Sequence, residues 1–372
     1  MARVSNGRIG RVCRVIGFIG WALAASVPAA TNADTVYFVS KQYGGLYRFD
    51  SANPGAGISE IKGDDTFYKP AALAMGPDGN LYVGDATDGG RIARYSLADG
   101  SISTVASLYG YSPAYSGGPV SPGSIAFTPS GSMLVGRNPE VSFYPGSNAA
   151  WPGGPVLEVT GWGVGQTAAI STFTSGTSQT YQPGLAVASD GTLYASNSFY
   201  DATVGSPTFQ VMTGNVLRFG ASGTFSAEVA ADKAFTGGLF GPSGLALSGN
   251  ALYVASTMNG IIYKTNLLDS NTATNTIAYA YTPQDPSSGY RDYIGPLAAL
   301  SNGGLLTAGV AGSGLIYEFD SSGWLIGMIG NSSYGQLGGV VAVTPVPEPS
   351  AIVLGLAGLS AAGIALLRTK RR

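Results

Sequence analysis

Leu73-Ala74-Met75-Gly76-Pro77-Asp78-Gly79-Asn80-Leu81-Tyr82-Val83 is the stretch whose reading decides the fold. Two short apolar runs flank Pro-Asp-Gly-Asn, and Gly and Asn are the residues that accept the positive φ of a tight turn. The unit therefore reads strand, turn, strand. It returns as Ile125-Ala126-Phe127 with Met133-Leu134-Val135, and as Leu185-Ala186-Val187 with Leu193-Tyr194-Ala195. Further copies are Leu245-Ala246-Leu247 with Leu252-Tyr253-Val254, and Leu297-Ala298-Ala299 with Leu305-Leu306-Thr307. A third strand ending in an aromatic often follows, as in Arg91–Tyr95, Asn215–Phe219 and Leu315–Phe319.

The repeated alanine stands at 74, 126, 186, 246 and 298, giving steps of 52, 60, 60 and 52 residues. Three strands and a fourth per step describe a propeller blade with one enlarged loop. A right-handed β-helix would repeat over shorter, more uniform rungs. The ends complete the count. Val340–Val343 reads as the first strand of a sixth unit, and Val36–Val39 with Gly45–Asp50 supplies its missing partners. One blade shared between both ends would leave no open sheet edge. The expected fold is all-β, a six-bladed β-propeller. Seven blades is the alternative, with a divergent blade within 140–180.

Composition fits a folded body with a large core and no long disordered stretch. Of 372 residues only 11% are charged and 45% are apolar, with 56 glycines and 21 prolines. No histidine is present, which removes Ser-His-Asp and Cys-His catalysis and His-ligated metals. Residues 34–345 hold 11 basic and 20 acidic residues, a net charge of −9, which argues against nucleic acid as a partner. No cofactor is expected.

The two ends read as addresses. Arg3, Arg8, Arg11 and Arg14 precede the apolar run Val15–Val27 and the small residues Ala29, Ala30 and Ala33. This order describes a signal peptide over residues 1–33, cleaved after Ala29 or Ala33, with an uncleaved signal anchor as the alternative. Cys13, the sole cysteine, would leave with it. At the other end, Val346-Pro347-Glu348-Pro349-Ser350 precedes the uncharged run 351–367 and a basic cluster of Arg368, Lys370, Arg371 and Arg372. At 1.5 Å per residue that run reaches about 26 Å, a short transmembrane helix. The positive-inside rule keeps the basic cluster cytoplasmic.

The three-part order of residues 346–372 resembles the PEP-CTERM sorting signal. That resemblance implies processing by an exosortase-type membrane enzyme near Pro347-Glu348-Pro349. It also implies a Gram-negative envelope, often one that makes exopolysaccharide. Residues 34–345 form the expected body, and their repeat resembles NHL-type propellers and, more loosely, gluconolactonase-like ones. That likeness informs the fold more than the function.

Residues just after the second strands fall near one rim of the channel: Lys41, Asp85, Arg137, Asn197, Ser256 and Gly309. A lactonase-type divalent metal would need converging carboxylate and amide oxygens. Lys41 and Arg137 oppose one, so no metal is expected. Asp85 and Asn197 are the best polar pair, joined by Arg137, Asn138 and Glu140, although Asp85 also suits a turn cap in Asp85–Gly90. Asp78 and Asp190 read as turn residues. Loops rich in Tyr, Ser and Gly (109–118, 148–165 with Trp151 and Trp162, 279–293) suit contact with sugars or proteins. No catalytic residue stands out. The expected function is an exported binding or scaffold propeller of the envelope, membrane-anchored until processed, with exopolysaccharide or a surface protein as partner. The alternative is a secreted lactonase- or lyase-like enzyme at the channel mouth.

Overall fold

The computed structural model describes residues 33–109, 120–139, 154–177, 183–201, 211–231, 239–267, 276–280 and 293–344. The expected signal peptide and the segment 346–372 lie outside them. Among the described residues no helix is long and apolar enough to cross a membrane.

The strands of Asp34–Thr344 form six four-stranded antiparallel sheets. Blade 2 is representative: β4 (Ala72–Met75), β5 (Leu81–Asp85), β6 (Arg91–Tyr95) and β7 (Ile102–Ser107) lie in that order. Blades 3 to 6 repeat this plan as β8 (Val120–Phe127) to β11 (Ala169–Thr172), β12 (Leu185–Val187) to β15 (Phe225–Ala231), β16 (Pro242–Ser248) to β19 (Thr276–Ala280), and β20 (Ile294–Ala299) to β23 (Leu325–Gly330). Blade 1 joins the two ends. Its inner strand is β24 (Leu337–Val343), paired with β1 (Thr35–Ser40), then β2 (Leu46–Asp50) and β3 (Ser59–Lys62). Residues 157–160 and 169–172 are strands of blade 3, where the alternative reading placed an extra blade.

Alternating strand direction puts the first-to-second and third-to-fourth turns on one rim, here the hairpin rim. The other connections form the loop rim. Asp-Gly chemistry builds the hairpin rim. Asp78 accepts the Asn80 N–H at 3.2 Å, the Tyr82 hydroxyl at 3.0 Å and Arg94 Nε at 3.0 Å. Burial raises its pKa, but the Asn80 and Arg94 donors outweigh that and hold it below the ordinary value.

Apolar burial is divided into six clusters, one between each pair of neighbouring blades. The core is thus a ring of wedges, and each blade completes its core on both neighbours. Between blades 2 and 3, Tyr82, Phe127 and Trp162 meet edge to face at 5.1–5.3 Å. Where the second strand places a tyrosine, the third strand sets a cation directly opposite: Tyr37–Arg48, Tyr82–Arg94, Tyr194–Arg218 and Tyr253–Lys264. Lys264 Nζ lies 5.6 Å from the centroid of the Tyr253 ring, a cation–π contact. Where that residue is leucine, as in Leu134–Glu158 and Leu306–Glu318, the third strand carries glutamate.

Candidate functional site

Inner strands from all six blades line a central cavity of about 440 Å³. Among the described residues its lining is mostly Ala, Leu and Gly, and Ser124 is the one hydroxyl-bearing residue there. The inner strands begin at the loop rim and crowd there. A Cβ on Gly184 would lie 1.9 Å from the Ser243 carbonyl oxygen, and one on Gly244 would lie 2.3 Å from that of Gly295. Glycine is required at these two points by close backbone approach. Bulges at Pro122/Ser124, Pro242/Leu245 and Ile294/Leu297 bend the strands at the same place. This ring of glycines and bulges has a trace in the sequence that the strand-turn-strand reading missed: Pro or Gly two to four residues before the repeated alanine.

The polar residues predicted at the channel mouth are drawn into the loop rim. Asp85 is fully buried. Arg91, directly across the strand pair, grips it through Nε at 3.0 Å to both oxygens and through an NH2 at 2.8 Å to Oδ2. Asp85 Oδ1 also accepts the Thr87 N–H at 3.0 Å, so the carboxylate caps the turn that follows it. Asn197 donates through Nδ2 to Asn215 Oδ1 at 2.9 Å, and Asn215 passes its own amide to Glu228 at 2.9 Å. Arg137 is buried and donates through Nε to the Pro155 carbonyl at 3.2 Å. Burial pulls its pKa below the ordinary arginine value. Gly154 makes room for it, since a Cβ there would stand 2.0 Å from a guanidinium nitrogen. Asp85, Arg137 and Asn197 therefore occupy equivalent places in three successive blades, each with a partner in its own blade. Glu140 lies outside the described residues.

Serine hydroxyls tie the same rim together. Ser256 Oγ accepts the Phe240 N–H at 2.9 Å and donates to its carbonyl at 3.2 Å, and Ser196 Oγ makes the same pair with Gly184 at 2.8 and 3.2 Å. In blade 1 the buried residue at the strand end is Ser40, not Lys41. Its hydroxyl donates to the Tyr334 carbonyl at 2.7 Å. Among the described residues, no three carboxylates or thiols gather where one metal ion could be held.

The aromatic loops divide. Trp162 faces inward, its Nε1 donating to the Gly131 carbonyl at 2.9 Å. Tyr109 is 79% exposed and Tyr68 is 55% exposed. Trp151 lies outside the described residues.

Fold and rim together define a six-bladed β-propeller with a loop rim of buried polar residues and exposed tyrosines. Two solved structures with TM-scores above 0.5 share its fold. A chain of a nidogen/laminin complex superposes with a TM-score of 0.59 at 13% identity, covering 83% of this chain and 98% of the other. A protein of unknown function from Bacteroides caccae gives 0.53 at 14%, covering 84% and 100%. A candidate gluconolactonase gives 0.45 at 14%, covering 76% and 80%, a score that carries no argument here. At such identities the likeness concerns the fold alone. No curated protein sequence matches the chain significantly. Residues 345–372 match the PEP-CTERM protein-sorting motif. The motif marks the chain as an exported exosortase substrate with a β-propeller body.

Proposed function

We propose that this protein is a cell-envelope or extracellular binding and scaffold propeller, linked to surface polysaccharide biology. Before processing, residues 351–367 hold it in the membrane with Arg368, Lys370, Arg371 and Arg372 on the cytoplasmic side. Val346–Ser350 is the segment the exosortase reads. Pro347 and Pro349 keep it extended and cannot donate helix or ladder hydrogen bonds, which suits a peptide gripped by an enzyme. Cleavage then delivers the propeller to the outer envelope or the medium.

One observation carries the binding reading over the enzymatic one. Asp85, the acid best placed at the rim, is wholly buried and held by Arg91 and the Thr87 N–H, while the tyrosines beside it face solvent. A lactonase- or lyase-like reaction there would need a carboxylate open to substrate.

Intact-mass analysis of the protein from its native host, with the Glu348→Ala variant alongside, tests the proposal. The wild-type protein should lack residues beyond the Pro-Glu-Pro segment and co-fractionate with surface material. The variant should remain in the membrane with residues 346–372 attached. Equal trimming of both forms, or a trimmed wild type that never associates with the surface, refutes it.

A further inference from the structure

At the loop rim of blade 2 the chain passes three times within a short distance. Tyr68 lies in the segment entering the blade, Ala86–Gly90 is the turn between its second and third strands, and Tyr109 lies in the segment leaving it. Backbone hydrogen bonds lock the three together. The Tyr68 carbonyl accepts the Ala86 N–H at 2.8 Å, and the Gly90 carbonyl accepts the Leu108 N–H at 2.8 Å. The Tyr109 ring rests on Gly89, where a Cβ would come within 3.1 Å of its Cδ2. Below the turn, the Arg91–Asp85 pair and the Thr87 cap hold the backbone in place. Asp88 turns outward with φ of 51°, and Lys69 Nζ lies 5.3 Å from the Tyr68 ring centroid.

The geometry points to a glycan platform, with Tyr68 and Tyr109 framing the Ala86–Gly90 turn and offering ring faces to neutral hexose units of a polysaccharide. The inference rests on the binding reading above and names its ligand class and its site.

Three features favour this ligand. Tyrosine joins an apolar face to a polar tip, matching a sugar ring's C–H face and its hydroxyl edge. Lys69 lies by the Tyr68 ring, and Thr87 and Asp88 belong to the turn that the two tyrosines frame; together they bring one charge of each sign, so neither a strongly anionic nor a cationic ligand is preferred. The exposed rings offer about 200–300 Å² in all, well below the roughly 800 Å² each partner gives to a stable protein interface. That area is enough for a few sugar units on a preorganised surface.

The test is affinity electrophoresis of the full chain in detergent, in gels containing laminarin, dextran or galactomannan. Tyr68→Ala, Tyr109→Ala and their double variant are compared with Trp324→Ala, which removes an exposed aromatic on blade 6, and melting curves confirm that each is folded. At least one polysaccharide should retard the wild-type protein and the Trp324→Ala variant alike. Each tyrosine variant should bind at least tenfold more weakly, and the double variant should migrate as in a plain gel. No retardation by any of the three polymers overturns the inference, as does retardation that survives in the double variant. Photocrosslinking from position 109 that captures an envelope protein instead of a glycan also overturns it. Fractionation of the native host separates the two levels. If wild type and double variant both follow the surface material, the platform is wrong and the wider reading stands. If neither does, the wider reading fails.

Discussion

The hairpin rim and the loop rim of this propeller are built from the same six blades, yet by different rules. On the hairpin rim the turns themselves close through contacts short in sequence: Asp78 serves Asn80 and Tyr82, and Asp190 accepts the Thr192 N–H. Such turns recur because each blade needs the same one. On the loop rim the equivalent positions carry Asp85, Arg137, Asn197 and Ser256, and each finds a different partner. Repetition therefore reports architecture, and its breakdown reports what the individual blades are for.

Four experiments strain that contrast, beginning with the largest effect. Deleting residues 36–49 removes β1 and most of β2, unzips blade 1 and exposes the edge of β24. We expect no cooperative unfolding transition, and an unchanged melting curve would show that the ends do not close the ring. Gly184→Val comes next. Its Cβ would collide with the Ser243 backbone at the loop rim, costing about 3 kcal/mol or more. Gly79→Ala on the hairpin rim meets open space and only the strain of φ 75°, so about 1 kcal/mol is expected. Equal denaturant midpoints for the two variants would erase the distinction.

Asp85→Ala should cost about 2–3 kcal/mol, because it strands the Arg91 guanidinium and an N–H of the turn. Polysaccharide binding should weaken with it. A variant as stable as wild type would mean that the pair does not hold the turn.

The smallest effect concerns Glu318, whose pKa burial lifts above the ordinary glutamate value. Above the unfolded value and up to the lifted one, the folded state binds more protons, so stability falls as pH rises through that window. Glu318→Gln should therefore stabilise the protein at pH 7, by less than about 1 kcal/mol, and should change nothing near pH 3. A loss of stability at pH 7 would show that the ionised carboxylate is favourably held.

Much of the fold was legible because its signals are local. The Asp-Gly turns and the strands follow from residues within about ten positions of one another, and the split blade follows from two such local fragments, one near each end of the chain. The rim was less legible because pairing across strands decides what each polar residue does. Asp85 reads as a candidate ligand group until Arg91, six residues on, is seen directly opposite it. Arg137 depends on the absence of a side chain at Gly154, 17 positions away, which no motif announces. Trp162 sits in a segment whose composition suits exposure, yet it fills the wedge between blades 2 and 3. Tyr109, from a loop of the same kind, stays outside.

The joining of the ends also governs the order of events during export. Asp34 accepts the Ser301 N–H at 2.7 Å and the Thr344 hydroxyl at 2.7 Å, a pairing that spans 310 positions of the chain. A chain crossing the membrane N-terminus first therefore carries β1, β2 and β3 as an unfinished sheet until Leu337–Val343 has emerged. The sorting motif begins at residue 345, two positions after that strand ends. Any product cut short or stalled before β24 lacks both the final strand and the address. In chain order, the segment an exosortase reads thus follows directly on the strand that finishes the ring.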